Sequence, residues 1–564
     1  MPAPGIGVLR LSANPSISPA RSTSRAADAM DSGERLVLLL ASLGTVVAYS
    51  VMIADGTRFM ADDIYFYLKI ADALYQGEGS TFNGIQPTNG YHPLWMIVCV
   101  ISRAIAGSDP DTLMRVHFGF SLLGTLISIA LAQRLAKALD LSRLAVAPVL
   151  IAAYLTFNAI GSEIHVSMPL LLATALQARR VLSSPSDDRS AQLGLGVLLG
   201  LATLARLDNV FVLALIGALA SVRIRESIGS ELRRAVTIAA PAVLLIAPYL
   251  AWNLIVFGHL VPISGAIKIG LAQSIGWNPA KVGTQHWLLN VGIVAAPLFW
   301  FVRGRRTNDY TLFAFSTGAL IHALYVLLRM EAVQPWYFAG EVISVAFMLD
   351  AATKRVMSLG SPRIPRVAAA VAVGLLLPAI AVRQATLPPL PARPWFLDVA
   401  RWIDANVPEG EAIAVTHSPG AIAYFSHRSV MALDGLTGDF AFHERAARDG
   451  LYVALHAMGD RYLLAPGPRS REFPAAFRKS EAIGHTGEGT SARGTIGADG
   501  VGEMSAIGLY SAIAGRHVGW LRTDDGNLVD QGLCSRAIAV WKLAPAEPTV
   551  ASPPPTEDST VGRH

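Results

Sequence analysis

The sequence predicts a polytopic α-helical membrane protein that carries a soluble α/β domain toward its C-terminal end. Three observations carry this reading. Only 15% of the 564 residues are charged and 52% are hydrophobic, whereas a soluble domain is charged at about 25% of positions. Apolar runs of about 20 residues, the length that crosses a bilayer, recur along the chain. After about residue 386 the character changes, from long apolar runs to short strand-like and helical patterns.

Eleven spans are expected, at 36–54, 113–133, 144–160, 164–181, 192–205, 208–222, 235–257, 286–302, 311–328, 336–353 and 367–385. The apolar run at 92–106 is short for a bilayer and follows Pro93, so it reads as an interfacial or re-entrant helix. Counting it as a span would reverse every later loop. The positive-inside rule decides between the two counts. Eleven spans with the N-terminus inside place 21 lysines and arginines in cytoplasmic segments and 8 in the outer loops before the last span. The formal charge of +5 is modest and the arginines sit in short loops, which reads as orientation and not as a nucleic-acid surface. Ala48-Tyr49-Ser50 is a passable cleavage site, but the apolar run continues past it, so an uncleaved first span is expected.

Four segments follow. Residues 1–34 are rich in Ser, Ala and Pro and read as a disordered cytoplasmic tail. Residues 35–386 form the membrane domain, with a first outer loop at 55–112. Residues 387–545 read as an extracytoplasmic α/β domain, entered through the linker LPPLPARP. Within it, WFLDVARWIDANV is a helix by period, EAIAVTH, RSVMALDGL, RYLLA and AIAVWKL are strands, and SPGAIAYF is a turn with a short helix. Residues 546–564 are a Pro/Ser/Thr-rich tail.

The chain is organised around residues 61–95. Asp62 and Asp63 stand just beyond the first apolar run. An amphipathic helix is expected from Ile64 to Gln76, ended by Gly77 and Gly79, with Tyr65, Lys69 and Asp72 on its polar face. Turns follow at Asn83-Gly84 and Pro87-Thr88-Asn89-Gly90, and His92-Pro93-Leu94-Trp95 opens the next helix. Two readings of the acid pair stand: a catalytic site, or aspartates that cap a helix N-terminus.

Other charges fall at the outer ends of spans, where ionised residues are expensive and default to function. Arg206 and Asp208 sit between two short apolar runs and read either as a site or as a local ion pair. Lys268 reads as a site residue or a solvated loop lysine. Arg329 and Glu331 head an outer loop, and Trp336 and Tyr337 after them read as part of a site or as an aromatic belt. Glu163 reads as a helix cap and His322 as a packed helix residue. There is no HExxH, since His443-Glu444 lacks its second histidine, no cysteine pair with zinc spacing, no GxSxG and no phosphate loop in the Gly-rich 484–502 stretch. With only Cys99 and Cys534, no disulfide framework is expected.

The Asp62-Asp63 pair, the YFYLKIA helix, TFNG, PTNGYHPLW and the bent interfacial helix together resemble the first outer loop of GT-C fold glycosyltransferases. That superfamily includes protein O-mannosyltransferases and the aminoarabinose transferases that modify lipid A. The resemblance extends to the LARLD hairpin, the NLIVFG…K stretch and AVTHSPGAIAYFSHRSVMALDGL, which is similar to the soluble outer domain of bacterial members. It covers roughly residues 35–465 with gaps. Many relatives have Glu where this chain has Asp63.

The resemblance implies a donor sugar on a polyprenyl phosphate and an acceptor hydroxyl on a glycan, lipid or protein of the cell envelope. The leaving phosphate needs cations, for which Lys268, Arg206 and Arg329 are the outer-facing candidates. The attacking hydroxyl needs a base, for which Asp62 is the candidate, with Asp63 orienting it. Tyr65 and His92 are further candidates for substrate contact. No cofactor or metal is expected, because monophosphate donors in this group generally need none and the sequence holds no dedicated cage. The expected enzyme is an inverting hexosyl- or pentosyltransferase of the bacterial inner membrane, with its partners the donor, the acceptor and the bilayer, and no nucleic acid. A transporter or flippase of lipid-linked sugars is the alternative; transporters show repeated halves and midplane sites, whereas here the polar groups collect at span ends. A non-catalytic glycan-binding scaffold is a third reading.

Overall fold

The structure is a computed structural model. It describes residues 32–54, 60–156, 160–183, 188–221, 227–270, 287–307, 309–330, 333–359, 395–415, 418–433, 436–438, 440–449, 454–455, 457–467, 515–520 and 537–543. The N-terminal tail to residue 31, the span expected at 367–385, the linker 387–394, the Gly-rich 484–502 stretch, Cys534 and the 546–564 tail lie outside the described residues.

Ten of the expected spans coincide with helices: α1 (Ser32–Ala54), α4 (Pro110–Ala138), α5 (Val146–Thr156), α6 (Ile164–Ser183), α7 (Arg189–Ala205), α8 (Val210–Ser221), α9 (Ile228–Phe257), α11 (Trp287–Thr307), α12 (Tyr310–Arg329) and α13 (Ala339–Leu359). Between them stand α2 (Asp62–Gln76), α3 (Pro93–Ala106) and the short α10 (Ile263–Gly270). Several starts are set by ordinary caps. The Asp109 carboxylate accepts the Thr112 N–H, with Pro110 in the first turn, and Asp188, Ser227 and Asp309 cap α7, α9 and α12 in the same way. Gly77 and Gly258 close α2 and α9 in the left-handed conformation that glycine adopts without a Cβ penalty.

Among the described residues, four helices, Ser32–Ile53, Pro110–Ala138, Ile228–Phe257 and Tyr310–Arg329, are long and apolar enough to cross a membrane. The apolar residues of α9 face outward: Leu244 is 74% and Ile255 82% exposed. Helices that turn leucine and isoleucine outward over such lengths are solvated by lipid and not by water. The chain is a multi-pass helical membrane protein.

The described residues between 395 and 467, with 515–520 and 537–543, build an α/β unit. Strands β1 (Ala412–Val415), β2 (Ser429–Ala432), β3 (Asp460–Gly467), β4 (Gly515–Trp520) and β5 (Ala537–Leu543) form one sheet in the order β2-β1-β3-β5-β4. The first three run parallel, and β5 and β4 are antiparallel additions. Helices α14 (Trp395–Asn406), α15 (Pro419–Phe425) and α16 (Phe440–Asp449) belong to the same unit. β4 and α16 were not legible in the sequence: GRHVGW has glycines at its first and fifth positions, and FAFHERAARD is mostly polar.

Buried apolar side chains form two clusters. One lies among α4 to α9 and α11 to α13. The other joins α1 to α5 to the α/β unit without a break, running from Ile64 and Leu68 to Val399, Ile413 and Val430. The face of α2 expected to be solvated is therefore a docking face. Tyr65 is buried there against the rings of Phe396, Tyr424 and Phe425. An amphipathic ring packs through its body whatever its tip does, and periodicity cannot tell water from a second domain.

Candidate active site

The stretch Pro87–Trp95 fixes the ends of three separate helices. The Asn89 carboxamide accepts the Ile263 N–H at 2.9 Å and donates to Asn253 Oδ1 at 3.1 Å, and Asn253 donates to the Leu260 carbonyl. One side chain thus ties the end of α9 to the start of α10, which carries Lys268. Gly90 lies where a Cβ would run into the Leu436 carbonyl of the α/β unit. His92 donates its backbone N–H to the Tyr67 hydroxyl at 3.2 Å and accepts the Leu207 N–H at Nδ1, 3.4 Å away.

These anchors frame a cleft of about 520 Å³, open to solvent. Asp63, Tyr67, Tyr91, His92, Glu163, Lys268, Trp336, Tyr337 and Leu436 line it. Lys268 donates from Nζ to the Tyr337 hydroxyl. Burial alone would depress the Lys268 ammonium, but Tyr337 and Asp63 outweigh it and the pKa is raised, so the cation persists. Burial, then the neighbouring Arg206, pushes His92 down to about 3, which leaves a neutral ring able to accept the Leu207 N–H. Burial raises the Glu163 carboxyl against the pull of Arg206.

Behind the cleft lies a chain of buried charges. Arg206 donates to Glu163 and, from Nη2, to Asp208 Oδ2 at 2.8 Å, with its Nε also 2.8 Å from Oδ1 in the same ion pair. Its guanidinium lies 4.0 Å from the centre of the Tyr337 ring. Asp208 is 3.3 Å from His322 Nε2, whose Nδ1 is 2.8 Å from Glu341 Oε1.

The three cations named from sequence therefore separate. Lys268 is in the cleft. Arg206 stands one layer behind it, already engaged by two carboxylates. Arg329 ends α12, half-buried, and among the described residues no hydrogen bond or ion pair joins it to the cleft. The acid pair also separates. Asp63 lines the cleft. The Asp62 carboxylate instead accepts the backbone N–H groups of Gly420, at 3.2 Å, and Ala421, at 2.7 Å. Of the other two candidates, His92 is in the cleft and Tyr65 lies in the aromatic seam with the α/β unit.

Two bland expectations are corrected. His322 packs against Phe211 and Phe338 but is also held between two carboxylates, and Glu163 stands at the cap position of α6, where its carbonyl accepts the Val166 and Ser167 N–H groups, but its side chain binds Arg206. Trp336 and Tyr337 are buried cleft residues, not a belt at a membrane surface. Glu341 was missed, although an acid inside a predicted span is a signal in itself. Leu436 gave no signal. Among the described residues no group of three or more His, Cys, Asp or Glu could hold a metal ion.

Comparisons with known proteins add the following. Residues 382–495 match the family model of a domain of unknown function, DUF8728. No curated protein matches the chain. Among solved structures, the chain is similar to ArnT from Cupriavidus metallidurans in the apo state, at 11% identity and a TM-score of 0.47, over 88% of this chain and 97% of that one. It is also similar to ArnT from the same organism bound to undecaprenyl phosphate, at 13% identity and a TM-score of 0.47, over 89% of this chain and 97% of that one.

Proposed function

We propose that this chain is a membrane glycosyltransferase of the GT-C type. It moves one sugar from a polyprenyl-phosphate donor to a hydroxyl of a cell-envelope glycan, lipid or protein. The observation that carries the reading is the meeting of the Asp63 carboxylate, which Arg206 does not engage, and one persistent ammonium, Lys268, in a single cleft at the end of an apolar helical bundle. The first-loop resemblance supports the same class.

The chemistry needs little more than those two charges. The acceptor oxygen attacks the anomeric carbon while the bond from that carbon to the phosphate oxygen breaks. The hydroxyl proton passes to Asp63, which takes the role that the sequence suggested for Asp62, because Asp63 lines the cleft and, unlike Glu163 there, is not engaged by Arg206. The departing phosphate is a stable anion, and Lys268, steadied by Tyr337, meets its charge. A single displacement inverts the anomeric centre. With an ammonium in that place the reaction requires no metal, so transfer should withstand EDTA. Arg206 orients Tyr337 and Glu163 from behind. The cleft faces outward from the plasma membrane, with the N-terminus cytoplasmic, in keeping with the basic residues of the loops at the opposite end.

The test is Asp63→Asn in the full chain, purified into nanodiscs and supplied with polyprenyl-phosphate sugars and envelope acceptors. A general base is worth typically 10²–10⁴-fold, and a loss of that size with unchanged thermal stability is expected. Full turnover in Asp63→Asn would remove it as the base. Translocation of lipid-linked sugars across the bilayer, with no transfer, would replace the enzyme with a flippase.

A further inference from the structure

The α/β domain shares its core with the first loop. Val399, Ile413 and Val430 belong to one buried cluster with Ile64 and Leu68 of α2. Ser429 Oγ donates to the Asn83 carbonyl at 2.6 Å. A further close approach is at Asp62, whose two carboxylate oxygens take the backbone N–H groups of Gly420 and Ala421. A Cβ at Gly420 would stand 2.5 Å from the Asp62 carbonyl oxygen, so the approach requires glycine. Just before it, Ser418 adopts a left-handed φ of 48° ahead of Pro419, a conformation that costs a non-glycine residue of order 1–3 kcal/mol and persists where its surroundings impose it.

Asp62 and Asp63 are consecutive in the first turn of α2 and so point about 100° apart. One meets the α/β domain and the other meets the cleft. That turn has no cap of its own, because Ala61 occupies the cap position. The domain supplies it with two backbone N–H donors. We propose that the α/β domain is a positioning element of the transfer site: Gly420 and Ala421 grip Asp62 and thereby fix Asp63 toward Lys268, while Leu436 closes one wall of the cleft. Asp62 is then a positioning residue. The matched region of unknown function gains a role inside the reaction and not beside it. This rests on Asp63 as the base, and the experiment separates the two ideas.

Hydrogen exchange of the 419–425 peptide reads the grip without reference to activity. Asp62→Ala should speed exchange there, and Asp63→Ala should leave it as in the wild type. In transfer assays Asp62→Ala should lose at least about tenfold in kcat, as catalytic groups misplaced by an ångström do, with the donor KM nearly unchanged. Asp62→Asn keeps an acceptor oxygen for the Ala421 N–H and should recover most of that kcat. Gly420→Ala, which keeps both carboxylates, should repeat the Asp62→Ala defect. Unchanged exchange in Asp62→Ala, or an Asp62→Asn variant as inactive as Asp62→Ala, would overturn the positioning role. Full activity in Asp63→Asn would overturn the base while leaving the exchange result to stand by itself.

Discussion

The two ends of the helical bundle both carry ion pairs, and they are built differently. At the end away from the cleft the pairs stand apart from one another, and all but the first below, at 14% and 12% exposed, include a side chain at least 31% exposed. Arg143 meets Glu34, Arg179 meets Asp309, Arg180 meets Asp188 and Lys354 meets Asp140. Each joins two segments, and in the last pair the side chains are 44% and 93% exposed. At the cleft end Glu163, Arg206, Asp208, His322 and Glu341 form one connected chain, with Arg206 3% and Glu163 5% exposed. An exposed pair contributes about 0–1 kcal/mol, whereas a buried chain of charges costs desolvation at every member and is a poor way to stabilise a fold. Charges retained at that cost, beside a cleft, are better explained by what they hold in place.

Breaking the buried chain should therefore produce the largest change in stability. Asp208→Asn keeps the shape but leaves the Arg206 fork and the His322 Nε2 without their carboxylate. Removing one partner from a buried ion pair costs about 3–5 kcal/mol. Chemical or thermal denaturation in detergent checks this, and a loss below about 1 kcal/mol would place Asp208 among the ordinary surface pairs.

Lys268 comes next and should act on function rather than on folding. Lys268→Gln keeps a donor for the Tyr337 hydroxyl but removes the charge. The donor KM should rise, or kcat fall, by about 10–10²-fold, close to 1.4–2.7 kcal/mol of lost charge stabilisation at 1.36 kcal/mol per decade. Steady-state kinetics with varied polyprenyl-phosphate sugar reads it, with acceptor KM as the internal control. Wild-type kinetics would move the phosphate site away from Lys268.

The same contrast explains how much was legible in the sequence. Long apolar runs announced ten helices, and the turn residues of 77–90 announced a structured first loop. The position of Asp62 and Asp63 drew attention to the first turn of α2, which reaches both the cleft and the α/β unit. Which of them faces the cleft was not legible, because adjacent residues diverge by about 100° and the deciding partner, Gly420, is 358 residues further on. Arg206 looked like a phosphate ligand because it falls at the outer end of a span; nearby Asp208 already suggested a local ion pair, but Glu163, which completes its coordination, lies 43 residues earlier. His322 looked bland for the same reason, since neither of its carboxylates lies within a helical turn of it.

The smallest effect belongs to the far end and sharpens the comparison from the other side. Lys354 Nζ is 2.5 Å from Asp140 Oδ2 and also donates to the Asp140 carbonyl at 2.6 Å. Distance alone would rank this among the strong pairs of the molecule. Exposure ranks it among the weak ones, because water screens both charges and the long lysine side chain loses rotamer freedom when it is held. Lys354→Ala is therefore expected to cost less than about 1 kcal/mol, with transfer activity unchanged, and raising the salt concentration should erase most of that difference. Denaturation curves of the two proteins at low and high ionic strength measure it. A loss that persisted in high salt would mean that Lys354 holds the 140–146 turn through its hydrogen bond to the Asp140 carbonyl rather than through its charge, and the far end would then be more than a set of interchangeable surface pairs.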